Sequence, residues 1–354
     1  MDKFKKIAIL RASGLGDFIF ALPALSALKE TFPKAEIIYL GKVWHQTFLS
    51  KRKSPVNRVI VIPPVAGVGM KEFYINDSHQ LEKFFAKMQK EKFDLAIQMH
   101  GGGRHSNPFL LNLGAKLTIG TQTSDALPLN RTISYQYYQN EYLRWLEVVS
   151  LAGVKTAKIM PRLEATIEDI GETKEALGGN NQKLIILHPG AMDVRRRWPV
   201  ERFAVVGDYF ASLGFRIVVT GSGNEEDIVR TVIDQMEHSA DNFYNKLSIN
   251  GLAGLLSLSE IVISNDTGLL HLADALGRKT VGIYWCSNLI MAALPFREKS
   301  VCLSSWMVNC PFCNENRASF PFNQKKTNCK HETSFVAEVE VKEVIEAAEN
   351  LLSS

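Results

Sequence analysis

The run Ile261-Val262-Ile263-Ser264 passes at once into Asn265-Asp266-Thr267-Gly268 and then into an apolar-periodic stretch that ends at Gly277. A short, unbroken apolar run that stops at small polar residues and leads into a helix reads as a strand buried on both faces of a parallel sheet. Parallel neighbours need a crossover after every strand, so this pattern commits the chain to alternating strands and helices. It recurs. Residues 6–10 lead into Arg11-Ala12-Ser13-Gly14-Leu15-Gly16-Asp17, residues 184–188 into Pro189-Gly190-Ala191, and residues 215–220 into Gly221-Ser222-Gly223. Further strand-like runs at 36–40, 58–62 and 93–98 alternate with helical stretches, including 141–151.

In such folds ligands bind beyond the carboxyl ends of the strands, where these turns lie. After residues 261–264, the free N–H groups of the coming helix, Gly268 and the Thr267 hydroxyl suit an anion, and His271 follows one turn in. The alternative is that Asp266 or Thr267 caps the helix and His271 faces a neighbouring loop. After the first strand, Gly14 and Gly16 allow a close backbone turn, with Asp17 at the mouth of an amphipathic helix expected over 21–32. Asp17 is either a cap or a carboxylate held at the sheet edge. The third glycine of a dinucleotide fingerprint is missing, because Phe18, Ile19 and Phe20 follow Gly16-Asp17.

After residues 184–188 come Arg195, Arg196 and Arg197, then Trp198 and Pro199, which is placed to open a helix. Three guanidinium groups there suit phosphate oxygens. In the turn after residues 215–220, Glu225 either grips a ribose hydroxyl or favours a helix N-terminus electrostatically. His100-Gly101-Gly102-Gly103-Arg104 falls on the same edge as Asp17 and makes His100 and Arg104 candidates for acceptor contact, the alternative for Arg104 being a solvated turn.

Taken together, Gly16-Asp17 after the first strand, His188-Pro189-Gly190-Ala191 with Arg196-Arg197-Trp198-Pro199, and Asn265-Asp266-Thr267-Gly268-x-x-His271 resemble the family 9 glycosyltransferases, the ADP-heptose:lipopolysaccharide heptosyltransferases. The resemblance runs from about Lys6 to the last helix. It implies the GT-B fold: two Rossmann-like, doubly wound parallel-sheet domains facing across a cleft. Residues 1–170 are then expected to bind the acceptor and 180–335 the nucleotide sugar. Glu168 to Gln182 is expected to be the link, and 336–354 a C-terminal helix packing back on the first domain.

By the same resemblance Asp17 matches the catalytic base and Arg196 a basic residue on the donor diphosphate. Asp266, Thr267, Gly268 and His271 match the donor loop, with Gly190, Ser222 and Glu225 also on the donor side. Acceptor contacts are expected at Gly14, Gly16, His100 and Arg104. The implied reaction is inverting transfer of a sugar, heptose from ADP-heptose, to a hydroxyl of a cell-surface glycan such as lipopolysaccharide core. A protein acceptor and a non-catalytic sugar-nucleotide sensor are the alternatives. No Asp-x-Asp occurs in the chain, so fixed protein charges rather than magnesium are expected to hold the diphosphate, with no cofactor needed for catalysis.

Composition narrows the classes further. The 354 residues, 46% of them hydrophobic, suffice for two cores. No apolar run approaches the roughly 20 residues that span a bilayer, and the N-terminus lacks a signal-peptide pattern, so a cytoplasmic enzyme, in peripheral contact with the inner membrane face at most, is expected. A net charge of +4 favours phosphorylated substrates, and the basic clusters lack the interleaved aromatics of a nucleic-acid groove.

All five cysteines fall between Cys286 and Cys329. Cys310 and Cys313, followed by Cys329, have metal-ligand spacing, with Cys302, Cys286 or His331 as a fourth candidate. Zinc or iron is one reading and packed thiols the other. Heptosyltransferase relatives that modify autotransporter proteins are similar in holding iron through cysteines. The two sheet cores are expected to be independent of this segment.

Overall fold

The computed structural model describes residues 3–179, 182–293, 298–318 and 329–354. It divides into two compact units, Met1–Pro161 and Arg162–Ser354. The first runs β1 (Lys6–Leu10), α1 (Leu15–Thr31), β2 (Glu36–Gly41), α2 (Val43–Leu49), β3 (Arg58–Val61), the two-residue strands β4 (Val65–Ala66) and β5 (Gly69–Met70), and α3 (Ser78–Glu91). It continues through β6 (Leu95–Gln98), α4 (Ser106–Leu111), β7 (Leu117–Gln122), β8 (Arg131–Ser134) and α5 (Glu141–Ser150). The second unit runs α6 (Ile167–Leu177), β9 (Leu184–His188), a 3-10 turn at Val194–Arg196, α7 (Val200–Ser212), β10 (Arg216–Gly221), α8 (Glu226–Gln235) and β11 (Ala240–Tyr244). After it come α9 (Ile249–Leu258), β12 (Ser259–Asn265), α10 (Gly268–Ala275), β13 (Lys279–Trp285), α11 (Cys286–Ala292), β14 (Ser300–Ser305) and α12 (Val341–Ser353).

Each unit is built on a six-stranded sheet, ordered β3-β2-β1-β6-β7-β8 in the first and β11-β10-β9-β12-β13-β14 in the second. All pairings within both sheets are parallel. Apolar residues on both faces of the central strands explain why: Ile7, Ala8, Ile9 and Leu10, like Ile185, Ile186 and Leu187, are fully buried and must be covered by helices on either side. In each sheet the strand order reverses at one place, between β1 and β6 and between β9 and β12. These are the switch points at which a doubly wound sheet opens a crevice beyond its strand ends.

Three expectations are corrected. The first helix begins at Leu15 rather than at 21, so Gly16 and Asp17 lie inside its first turn. It is not amphipathic, because the consecutive residues from Phe18 to Leu25 are all buried. The stretch expected to link the domains is largely α6, a helix of the second unit, and the units divide at Pro161. Thr166 and Asp169 cap α6 reciprocally, Thr166 Oγ1 accepting from Asp169 N at 3.1 Å and Asp169 Oδ2 from Thr166 N at 2.7 Å. Its polar residues Asp169 and Thr173 face α9 so closely that a Cβ on Gly254 would stand 2.1 Å from the Asp169 carbonyl. A helix whose buried face is polar reads as surface, hence the misplacement. The terminal helix α12 packs on β12, β13, β14 and α7 of its own unit, where Val344, Ala348 and Leu351 join the core of the second sheet.

Candidate functional site

In the first unit, the residue leaving β1 is Arg11, only 2% exposed. A buried guanidinium must have every donor directed at something. Its Nε donates to the Asp17 carbonyl at 2.5 Å and one terminal nitrogen to the Met99 carbonyl. The other donates to Asp17 Oδ1 at 2.9 Å and to Glu141 Oε2 at 3.4 Å. The plane lies 4.5 Å over the Trp145 ring. Arg11 thus ties the end of β1, the end of β6 and the first turn of α1 together at the switch point. Asp17 Oδ2 also accepts from Gly14 N at 3.1 Å, yet its side chain stays 44% exposed. The carboxylate is therefore both a cap and an oriented group that solvent reaches. Behind it Glu141 holds a second enclosed guanidinium, accepting from Arg144 Nε at 2.9 Å, and Arg144 covers Tyr135 at 4.1 Å.

His100 stands beside this group. Its Nδ1 accepts from Ala12 N at 3.3 Å and lies 3.0 Å from Ser13 Oγ. With Nδ1 an acceptor, the proton of the neutral ring sits on Nε2. Burial and the Arg11 charge lower its pKa to about 4. Arg104 does not join the group. It is largely exposed and turns toward Asp125 at 3.6 Å, because the glycine turn carries it away from the strand end.

In the second unit the three arginines separate. Arg195 forks onto Asp193 and lies over Trp285, and Arg197 Nε donates to the Ala191 carbonyl at 2.8 Å. Arg196 is the one that reaches the start of α10, its NH1 donating to Asp266 Oδ2 at 3.2 Å and to the Asp266 carbonyl at 3.3 Å. Asp266 Oδ1 lies 2.9 Å from His271 Nε2. Burial works to raise the Asp266 pKa, but His271 and Arg196 outweigh it and hold the carboxyl below its usual range. Asn265 locks the two strand ends together, its Nδ2 donating to the Pro189 carbonyl at 2.8 Å and its Oδ1 accepting from Trp198 N at 3.0 Å.

Thr267 is the N-cap of α10 and makes no side-chain capping bond, so it leaves the first-turn N–H groups uncovered by its hydroxyl. His271, expected as a further donor to the diphosphate, is 2% exposed and sits behind Asp266. Its Nε2 lies against the Asp266 carboxylate. Glu225 accepts from Ser222 N at 2.9 Å and lies over Gly190, where a Cβ would stand 2.1 Å from Glu225 Oε1. Gly190 is thus needed for the close approach of this carboxylate.

Arg11, Glu141 and Arg144 were not picked out in the sequence as functional. The signal for Arg11 was a permanent charge directly abutting a buried strand, which demands a partner. Buried neutral histidines add a pH signature. His45, 1% exposed, and His100 are lowered to about 3 and about 4, mainly by burial. In the unfolded chain both take up protons near pH 6.5, so stability is full above that pH and falls as pH drops toward 4. Urea titrations of the protein should show a slope of up to about 1.4 kcal/mol per pH unit for each histidine in that window. His45→Gln should remove its share and leave that of His100, and a slope that does not change would refute the assignment.

Cys310, Cys313, Cys329 and His331 present ligand atoms all within 4.8 Å of one another. Cys310 Sγ and Cys329 Sγ lie 3.6 Å and 3.7 Å from His331 Nδ1. Burial opposes ionisation of Cys310, yet the backbone N–H groups of Cys313 and Phe312 prevail and bring its pKa to about 6. Cys286 at the start of α11 and Cys302 on β14 are not in the group.

A family model described as glycosyltransferase family 9 (heptosyltransferase) matches residues 81–321. The chain is 23% identical over 293 residues to lipooligosaccharide heptosyltransferase 2 of Haemophilus ducreyi, covering 77% of this chain and 80% of that protein. Its fold resembles the solved ADP-heptose lipopolysaccharide heptosyltransferase II of Escherichia coli with a TM-score of 0.77 and 17% identity, over 99% of this chain and 98% of that one. The dodecameric, iron-containing heptosyltransferase TibC, solved with ADP-D-beta-D-heptose, aligns with a TM-score of 0.55 and 13% identity over 99% of this chain and 76% of that one. These structures carry the two-domain GT-B fold that the paired parallel sheets display.

Proposed function

The chain belongs to glycosyltransferase family 9, the heptosyltransferases, and from that membership we propose that it transfers heptose from ADP-heptose to a hydroxyl of a lipopolysaccharide-core acceptor, inverting the anomeric centre. The observation that carries the reading is the Asp17 carboxylate, oriented by a buried guanidinium at one switch point and left reachable. Asp17 takes the proton of the acceptor hydroxyl. The freed oxygen forms its bond to the anomeric carbon as the bond from that carbon to ADP breaks, and the electron pair departs with the diphosphate. Arg196 and the N-terminus of α10 receive that charge. Fixed protein charges in these places supply what a divalent cation would otherwise do.

His100, a neutral Nε2–H donor beside Asp17, is read as an acceptor contact, with Gly14 and Gly16 shaping the turn. Ser222, Glu225 and Gly190 are read as the ribose side of the donor site. Among the described residues no helix is long and apolar enough to cross a membrane. The proposed place of work is the cytoplasmic face of the inner membrane, where a nucleotide sugar meets a lipid-borne acceptor.

Three thiols and one imidazole gathered at bonding reach fit a closed, tetrahedral structural site for zinc or iron. A protein acceptor is the second reading, from the resemblance to heptosyltransferases that modify autotransporter proteins. Release of ADP from ADP-heptose, measured against a panel of core oligosaccharide and protein acceptors, decides between them, and release with neither would sink both. Arg196→Ala should weaken ADP binding about tenfold or more in isothermal titration, since a charge-assisted contact is lost. Equal affinity would remove Arg196 from the diphosphate site.

A further inference from the structure

The cysteine–histidine cluster is not an appendage. Between β14 and α12 the described chain forms two arms without regular helix, 306–318 and 329–340, and the cluster is where they meet. Cys310 and Cys329 are buried in the same apolar core as Trp198, Trp285, Phe335, Val336 and Val339. From that core the second arm reaches the loop that carries Arg195 and Arg196, and the first arm reaches Trp285, the ring against which Arg195 lies. On the second arm, Phe335 N donates to the Arg195 carbonyl at 2.8 Å. Trp198 Nε1 donates to the Val339 carbonyl at 2.9 Å, and Arg202 NH1 donates to the Ala337 and Val339 carbonyls at 2.7 Å each. On the first arm, the Met307 carbonyl accepts from Trp285 Nε1 at 2.7 Å. Trp285 is the ring beneath the Arg195 guanidinium, 5.3 Å from its centroid, and it packs on Phe335 at 5.2 Å.

We propose that a thiophilic divalent metal held by Cys310, Cys313, Cys329 and His331 clamps these two arms and thereby sets the position of the Arg195–Trp198 loop and the affinity for the donor diphosphate. The proposal rests on the reading of Arg196 as a diphosphate ligand. Near the cluster the arms are also joined directly, Cys329 N donating to Glu315 Oε2 at 2.7 Å and Arg317 NH1 to the Cys329 carbonyl at 3.2 Å. Metal ligation supplies folding free energy to segments that cannot form a core of their own. Arg196 ends the 3-10 turn whose preceding residue the second arm holds by its carbonyl, so movement of the arm moves the guanidinium relative to Asp266. The expectation that the two sheet cores are independent of this segment does not hold for the second, whose core includes Cys310 and Cys329.

The test uses the full chain purified without chelator. Elemental analysis comes first, then titration with ADP before and after chelation and after return of Zn²⁺ or Fe²⁺, with tryptophan fluorescence, to which Trp198 and Trp285 contribute, as a second signal. Cys313→Ser, at the exposed ligand, and His331→Ala are titrated in parallel, with far-ultraviolet circular dichroism to check that the sheets persist. Near-stoichiometric metal is expected, with ADP affinity about tenfold weaker in the chelated protein and in both variants, and restored by metal only in the unsubstituted chain. Metal below a tenth of an equivalent per chain, roughly the level of adventitious binding, overturns the proposal, as does equal ADP affinity with and without it. If the metal-loaded protein fails to bind ADP at all, the donor-site reading itself falls and takes the coupling with it.

Discussion

Asp17→Asn is expected to lower turnover by at least about two orders of magnitude while leaving ADP affinity nearly unchanged. The amide keeps the shape of the carboxylate and can still accept from Gly14 N, so α1 retains its first turn. Arg11 keeps its two backbone carbonyls and Glu141, and so is not left as an unpaired buried charge. What is lost is the group that takes the acceptor proton. Thermal melting of the variant should therefore stay close to that of the parent, which separates a chemical defect from a folding one. Retention of most of the turnover would remove Asp17 from the catalytic role. A large fall in melting temperature would instead make its bond to Arg11 the main function of the residue.

How far the site was legible depended on how far each residue's partners lay along the chain. Asp266 follows β12 directly, and Asp17 and Arg196 lie in the turns that follow β1 and β9; in a parallel sheet every such turn arrives at the same edge, so strand signals alone bring them near the switch points. The parallel α/β character of both units was legible for the same reason, whereas β7, β8, β11, β13 and β14 were not read from the sequence. Arg11 was in plain view beside Gly14-x-Gly16-Asp17, but the carboxylate that shares its charge, Glu141, comes 130 residues later on α5. His271 illustrates a different limit. Its spacing from Thr267 places it one turn into a helix, yet the same spacing serves a side chain aimed at a ligand and one hydrogen-bonded to the carboxylate in front of it. The cysteine spacing pointed to Cys310 and Cys313, whereas the choice of His331 over Cys302 or Cys286 required the fold of both arms.

Asp266→Ala is expected to destabilise the second unit by about 1–3 kcal/mol, the usual consequence of leaving a buried hydrogen-bonding group without its partner. The carboxylate is enclosed between His271, itself 2% exposed, and Arg196, whose side chain is 22% exposed. Water reaches the guanidinium and softens its loss, so most of the penalty falls on the imidazole left without its acceptor. Removing a negative charge beside an anion site should by itself strengthen phosphate binding, but by less than the disorder of Arg196 and the start of α10 weakens it. Asp266→Asn separates these terms. Its amide oxygen still accepts from His271 Nε2, so stability should largely return, and any gain in ADP affinity then reports the charge alone.

The pH dependence gives an independent sign. Because the folded carboxyl is held below its ordinary value, its contribution is present above about pH 4 and is lost as pH falls through the folded pKa. The parent should therefore lose stability below pH 4 relative to Asp266→Asn, whose amide does not titrate, and parallel curves for the two proteins would mean that Asp266 is not the charged centre of this site.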